Sequence, residues 1–209
     1  MFEVEQKFNL TADERVHLLT DAKLKYIKSI TDRYYDTFDY KLTLRDYWLR
    51  ERDGKFELKI PIDMTAESIV DQYREIEDES GICDALGFSS ANSLSECLKS
   101  NHYLPFCTCI TNRESYLKDE FTIVLDHVTY ADCDLTFDAC EIELLVAKVE
   151  DMPSASKRIA EFATAQGLKT EYLHGKVMEY LYHQCPEHFE SLVKAGVVLA
   201  PAEKLTPKP

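Results

Sequence analysis

The chain has 209 residues, 45% of them hydrophobic and 30% charged, a globular balance with enough apolar mass for a buried core. Its formal net charge of -14 excludes a general affinity for nucleic acid or for an anionic membrane surface as the main activity. A compact polyanion is not excluded, because a local cluster of Arg and Lys beside carboxylate-held cations reverses the field inside one cavity.

Phe2-Glu3-Val4-Glu5-Gln6-Lys7-Phe8 alternates apolar and charged residues with period two, which predicts a strand. Thr11 and Glu14 form a capping-box pattern opening a short helix through Val16, Leu18 and Leu19. Strands are expected over 32–37 and 44–52, Asp53-Gly54 is a hairpin turn signal, and 55–60 returns as the next strand. After Pro61 a further strand is expected over 72–77. Residues 79–104, with a second capping-box pattern at Ser93 and Glu96, read as a helical insertion. Strands follow over 107–113, 121–128 and 139–146. Pro153 and Ser154 open a helix through Ile159, Phe162 and Ala163 that stops at Gly167. Residues 172–182 and 186–195 are expected to be helical, and 201–209 to form a disordered tail. There is no internal repeat, and one domain over residues 1–200 is the expectation.

Seven cysteines form an odd set without C-x-x-C spacing, so reduced thiols in a cytosolic, monomeric protein are expected. Cys107-x-Cys109 fits two alternating positions of an apolar strand better than a metal pair. Charges begin at Glu3, no apolar signal region follows, and no apolar run approaches the ~20 residues that span a bilayer.

The period-two rule puts Glu3, Glu5 and Lys7 on one strand face. It does the same for Trp48, Arg50 and Arg52, for Glu57 and Lys59, for Tyr73, Glu75 and Glu77, and for Glu141 and Glu143. Arg113 and Asp126 are single charges inside apolar strands. Charges of both signs on sheet faces suit a solvated sheet, but they also suit a shielded barrel interior. There Arg forks grip phosphate oxygens, Lys adds point charge, and carboxylates hold Mg²⁺ that bridges to the phosphates. Arg158, on the helix after Pro153, reads as a surface residue apart from this set.

Glu3-x-Glu5-x-Lys7 at the start of the chain resembles the E-x-E-x-K signature of the CYTH superfamily, the triphosphate tunnel metalloenzymes. Arg50-x-Arg52, Glu57-x-Lys59, Glu75, Arg113, Asp126, Glu141-x-Glu143 and Lys176 follow in the order of that family. Within it, Tyr34-Tyr35-Asp36-Thr37, Trp48-Leu49-Arg50, Glu57-Leu58-Lys59 and Glu141-Ile142-Glu143 look most like the animal thiamine triphosphatases. The resemblance implies an α+β fold: a closed eight-stranded antiparallel β-barrel, the triphosphate tunnel, with helices packed outside. It also implies Mg²⁺-dependent hydrolysis of thiamine triphosphate to thiamine diphosphate and phosphate, with Mn²⁺ as the alternative ion.

Carried over by position, Lys7, Arg50, Arg52, Lys59, Arg113 and Lys176 would bind the triphosphate, with Glu75 near the basic cluster. Glu3, Glu5, Asp126, Glu141 and Glu143 would hold or orient the metal. Lys59, Tyr34 and Glu143 would form the catalytic group. Trp48, which shares a face with Arg50, would stack on the cationic thiazolium, with packing as its alternative role. The stretch 79–103 is the least family-like. Competing functions are an inorganic tripolyphosphatase on the same fold, an adenylyl cyclase, and a non-catalytic polyphosphate- or nucleotide-binding module.

Overall fold

The computed structural model describes residues 2–61, 73–88, 93–169 and 173–199, and the expected tail at 201–209 lies outside them. The strands are β1 Phe2–Phe8, β2 Lys23–Asp36, β3 Trp48–Arg52, β4 Lys55–Pro61, β5 Tyr73–Ile76, β6 Leu104–Lys118, β7 Phe121–Tyr130 and β8 Cys133–Val146. They form an eight-stranded sheet in the order β1-β8-β7-β6-β2-β3-β4-β5. The described registers, β1 with β8, β7 with β8, β6 with β7 and β3 with β4, are antiparallel. The helices are α1 Ala12–Leu19, α2 Glu79–Leu86, α3 Leu94–Ser100, α4 Met152–Ala165, α5 Lys176–Gln184 and α6 Pro186–Ala195. This is the α+β class, with the eight antiparallel strands that the family resemblance implied.

Two compact units make up the chain: Met1–Asp32, Pro61–Arg74 and Thr108–Gly175, then Arg33–Ile60, Glu75–Cys107 and Lys176–Pro209. In the first unit, alternate residues Val4, Phe8, Ile123, Leu125, Ile142 and Leu144 pack against Met152, Ala155, Ile159 and Ala163 of α4. The strand set has period two and the helix set the i, i+3, i+4 spacing of one face, so the two patterns close a common core. Each fully buried aliphatic side chain contributes about 1.5–3 kcal/mol. Pro153 sits in the first turn of α4, and Gly167 takes the left-handed φ of 78° just past its end.

In the second unit, Leu49, Leu58 and Ile76 from β3, β4 and β5 pack with Ile82 and Cys83 of α2 and with Leu94 and Leu98 of α3. Ser93 and Glu96 cap α3 reciprocally, as their spacing predicts. Helices α2 and α3 of the insertion therefore serve as the apolar cover of one sheet face. In both units the side chains of opposite parity, which carry the charges, point away from the helix-packed core.

Five expectations need correction. β8 begins at Cys133 rather than 139. β2 begins at Lys23 rather than 32: Lys23-Leu24-Lys25-Tyr26 alternates charged and apolar residues, a strand signal that the expectation passes over, although Lys23–Ser29 are exposed on both faces. Residues 44–47 are not strand. The Asp36 carboxylate accepts hydrogen bonds from the backbone N–H of Leu42 and Thr43 and from the Thr43 hydroxyl, which holds Thr43–Arg45 in a 3₁₀ turn. β6 runs from Leu104 to Lys118, well beyond 107–113; of the helix expected over 172–182, residue 172 lies outside the described residues, 173–175 are not helical, and α5 starts at Lys176. The Asp53-Gly54 hairpin holds, with both residues at positive φ, 47° and 85°. Among the described residues no helix is long and apolar enough to cross a membrane.

Candidate active site

Register fixes the charged face of the first unit. Glu5 stands directly opposite Glu143, and Glu143 opposite Thr122; Lys7 stands opposite Glu141, and Glu141 opposite Val124. On the next strand Asp126 stands opposite Arg113, and Val124 opposite Ser115. Residues opposite one another share a face, so β1, β8, β7 and β6 present Glu3, Glu5, Lys7, Glu141, Glu143, Asp126, Arg113 and Ser115 together.

Two sets of contacts divide this face. Glu3, Glu5 and Glu143 bring carboxylate oxygens within 4.8 Å of one another. Lys7 Nζ donates to Glu5 Oε1 at 2.7 Å. Arg113 grips Asp126 with two parallel bonds, Nε to Oδ1 at 2.7 Å and Nη2 to Oδ2 at 2.6 Å, and its Nη2 also reaches Glu141 Oε2 at 3.2 Å. Of the five carboxylates expected at the metal, three therefore cluster, while Asp126 and Glu141 engage Arg113.

The electrostatics follow from crowding and burial. Burial, then the repulsion of Glu3, Glu141 and Glu5, pushes the Glu143 carboxyl up to about 9. Burial and the Glu5 charge also raise Glu141. Burial opposes the charge of Arg113, but its hydrogen bonds to Asp126 and the charge of Glu141 outweigh it, so the guanidinium stays ionised. Like carboxylates directly opposite one another cost stability without a cation between them. Three hard oxygen donors at this separation fit a divalent ion of the Mg²⁺ type.

In the second unit, the β3–β4 hairpin sets Trp48 opposite Lys59, Arg50 opposite Glu57 and Arg52 opposite Lys55. Buried Arg50 donates from Nε to Glu57 Oε2 at 2.6 Å and from Nη2 to Glu75 Oε1 at 2.9 Å, while Arg52 Nη1 lies 4.0 Å from the same Glu57. Lys59 is half-buried and, among the described residues, has no carboxylate within ion-pair distance. The Trp48 indole is half-buried, with Nε1 donating to Asp46 Oδ1 at 2.7 Å. Tyr34 is buried and packs its ring against Phe106 at 6.4 Å. Lys176, half-buried, opens α5.

Sequence reasoning missed two features. A cavity of ≈ 380 Å³ in the first unit is lined by Glu3 and Glu143 together with Lys25, Tyr26, Glu120 and Arg158. Arg158 is an exposed surface residue, as expected, and it also lines this cavity, with its Nε donating to Glu120 Oε1 in the β6–β7 turn at 3.0 Å. Ser115 is the second. It stands two residues from Arg113 on the same face, a position the period-two rule identifies once Arg113 is singled out.

The chain matches the CYTH domain family over residues 1–173. It is 26% identical over 213 residues to a thiamine-triphosphatase of Macaca fascicularis, covering 94% of this chain and 91% of that one. Among solved structures, a protein of Pyrococcus horikoshii superposes with a TM-score of 0.59 at 20% identity, covering 87% of this chain and 99% of the other. An adenylyl cyclase candidate from Hippeastrum, described as having a dominant triphosphatase activity, superposes with a TM-score of 0.52 at 14% identity over 86% of this chain and 95% of that one.

Proposed function

The chain belongs to the CYTH domain family, and on that premise we propose that it is a divalent-metal-dependent phosphoanhydride hydrolase that splits thiamine triphosphate into thiamine diphosphate and phosphate. The observation that carries this reading is the charged face of the first unit, where a three-carboxylate cluster and a carboxylate-held Arg113 lie side by side. A binding module for polyphosphate needs the bases alone. Three carboxylates whose oxygens lie within 4.8 Å of one another support a cation-holding role instead. The relative from Macaca fascicularis supports thiamine triphosphate as the substrate.

In this reading Glu3, Glu5 and Glu143 hold Mg²⁺, with Mn²⁺ as the alternative ion, and Glu141 and Asp126 orient the neighbouring groups. The ion, when bound, supplies neutralisation of phosphate charge and a more acidic water. Lys7, Arg113, Arg50, Arg52, Lys59 and Lys176 bind the triphosphate, and the Arg forks arrive already oriented by their carboxylate partners. Lys59 serves the phosphoryl group under attack, since among the described residues its ammonium has no carboxylate within ion-pair distance, and Tyr34 supports it. Water attacks the terminal phosphorus in line and the diphosphate leaves, with positioning and electrostatics supplying most of the acceleration. Glu75 keeps Arg50 aligned.

Phosphate release from thiamine triphosphate, tripolyphosphate and ATP at equal concentration tests the substrate. The highest kcat/KM is expected for thiamine triphosphate. Preference for tripolyphosphate would replace this reading by an inorganic tripolyphosphatase on the same fold.

A further inference from the structure

Ser115 Oγ is, among the described residues, the buried side-chain polar atom that makes no hydrogen bond, and the residue is 0% exposed. Nearly all buried hydroxyls are bonded, because a hydroxyl taken out of water without a partner loses its solvation and gains nothing in return. An exception asks for a cause.

Position supplies one. Ser115 lies on β6 with its side chain on the charged face, two residues from Arg113, while its chain neighbours Glu114 and Tyr116 point to the opposite face and bond each other. Across the sheet, its rung runs through Val124 to Glu141 and on to Lys7. Val124 offers no acceptor, so the hydroxyl has no use within its own rung. On the proposed function, this face receives a polyphosphate beside its cation. Arg113, held here by Asp126 and Glu141, would on that reading turn to phosphate oxygens, which would bring an acceptor to the next residue on the same strand face.

We infer that the Ser115 hydroxyl is a substrate-binding group, donating its hydrogen bond to a phosphate oxygen of the triphosphate next to the one gripped by Arg113. The inference rests on the triphosphate reading of this face. A hydroxyl carries no charge, so its contribution is to orientation: it fixes one phosphoryl oxygen while Arg113 and Lys7 neutralise.

Ser115→Ala removes the donor and little else. The test compares wild type, Ser115→Ala and Arg113→Ala for tripolyphosphate binding by calorimetry in excess EDTA, where hydrolysis is halted, and for melting temperature without ligand. Loss of a hydrogen bond to a charged acceptor should weaken tripolyphosphate about tenfold. The unliganded variant should melt at or above the wild-type temperature, since the hydroxyl it lost had no partner. Dissociation constants within about twofold of wild type would overturn the inference. So would a melting temperature several degrees lower, which would mark a hydroxyl bonded within the folded protein. If Arg113→Ala also binds as wild type does, the triphosphate reading of the whole face fails, and the inference with it.

Discussion

Trp48 and Lys59 face one another across the β3–β4 ladder, so an indole held by its bond to Asp46 stands beside an ammonium with no carboxylate partner among the described residues. An aromatic face next to an uncommitted cation suits a ligand that is both ring-bearing and anionic. If Trp48 stacks on the thiazolium, the contact is worth ~0.5–2 kcal/mol. Trp48→Ala should then lower kcat/KM for thiamine triphosphate several-fold while leaving tripolyphosphate hydrolysis nearly unchanged. Equal losses on both substrates would make Trp48 a packing residue.

Lys59→Met is expected to separate activity from stability. Among the described residues the ammonium has no ion pair to lose, so stability from urea unfolding should stay within about 0.5 kcal/mol of wild type. Loss of a positive group at the phosphoryl under attack should cost on the order of 10²-fold in kcat. Wild-type kcat would remove Lys59 from the chemistry.

Arg113→Ala should behave differently, because Asp126 is 7% exposed and its partner would be gone. A buried carboxylate stripped of its bidentate partner costs about 3–5 kcal/mol, so urea unfolding should report a loss of that order along with the loss of turnover. Arg15→Ala is the matched control: Arg15 pairs with Glu114 at the exposed opposite face, where an ion pair is worth ~0–1 kcal/mol.

His188 makes stability pH-dependent. Its ring stacks on Tyr40 at 3.8 Å, meets Phe106 edge-on at 5.2 Å and bonds Thr43 Oγ1 through Nε2 at 2.7 Å. Burial pushes its pKa down to about 4, although the nearby Asp36 charge works the other way. The unfolded chain, with an ordinary pKa of about 6.5, binds the proton more tightly than the folded one. Stability from this group is therefore fully present above pH ~6.5 and falls by about 3 kcal/mol as pH drops to ~4. Urea midpoints from pH 7 to 4.5 should show the decline, and His188→Gln should flatten it. A slope unchanged by that variant would assign the decline to other groups.

Much of this architecture was legible in the sequence because charge and burial alternate on the same strands. Val4 and Phe8 go to the α4 core while Glu3, Glu5 and Lys7 go to the other face, so period two read both at once. The hairpin at Asp53-Gly54 and the caps at Thr11 and Ser93 were equally readable, since each depends on one or two local residues. What could not be read depends on distant partners. Leu44 and Tyr47 carry a strand-like pattern, but Asp36 overrides it by capping the turn. Arg158 reads as a surface residue and is one, but that it lines the same cavity as Glu143 follows from where α4 lies. No local pattern tells that Asp126 and Glu141 hold Arg113 while Glu3, Glu5 and Glu143 crowd together; that division comes from cross-strand register.

On the proposed function, turnover depends on a divalent cation held by the carboxylate cluster of the first unit. Phosphate release from thiamine triphosphate by wild type and by Glu143→Gln, each in Mg²⁺ and in excess EDTA, tests it most directly. The account predicts turnover by wild type in Mg²⁺ alone, and a folded Glu143→Gln protein that has lost most of it. Undiminished release in EDTA, or full activity of Glu143→Gln at saturating Mg²⁺, would contradict it.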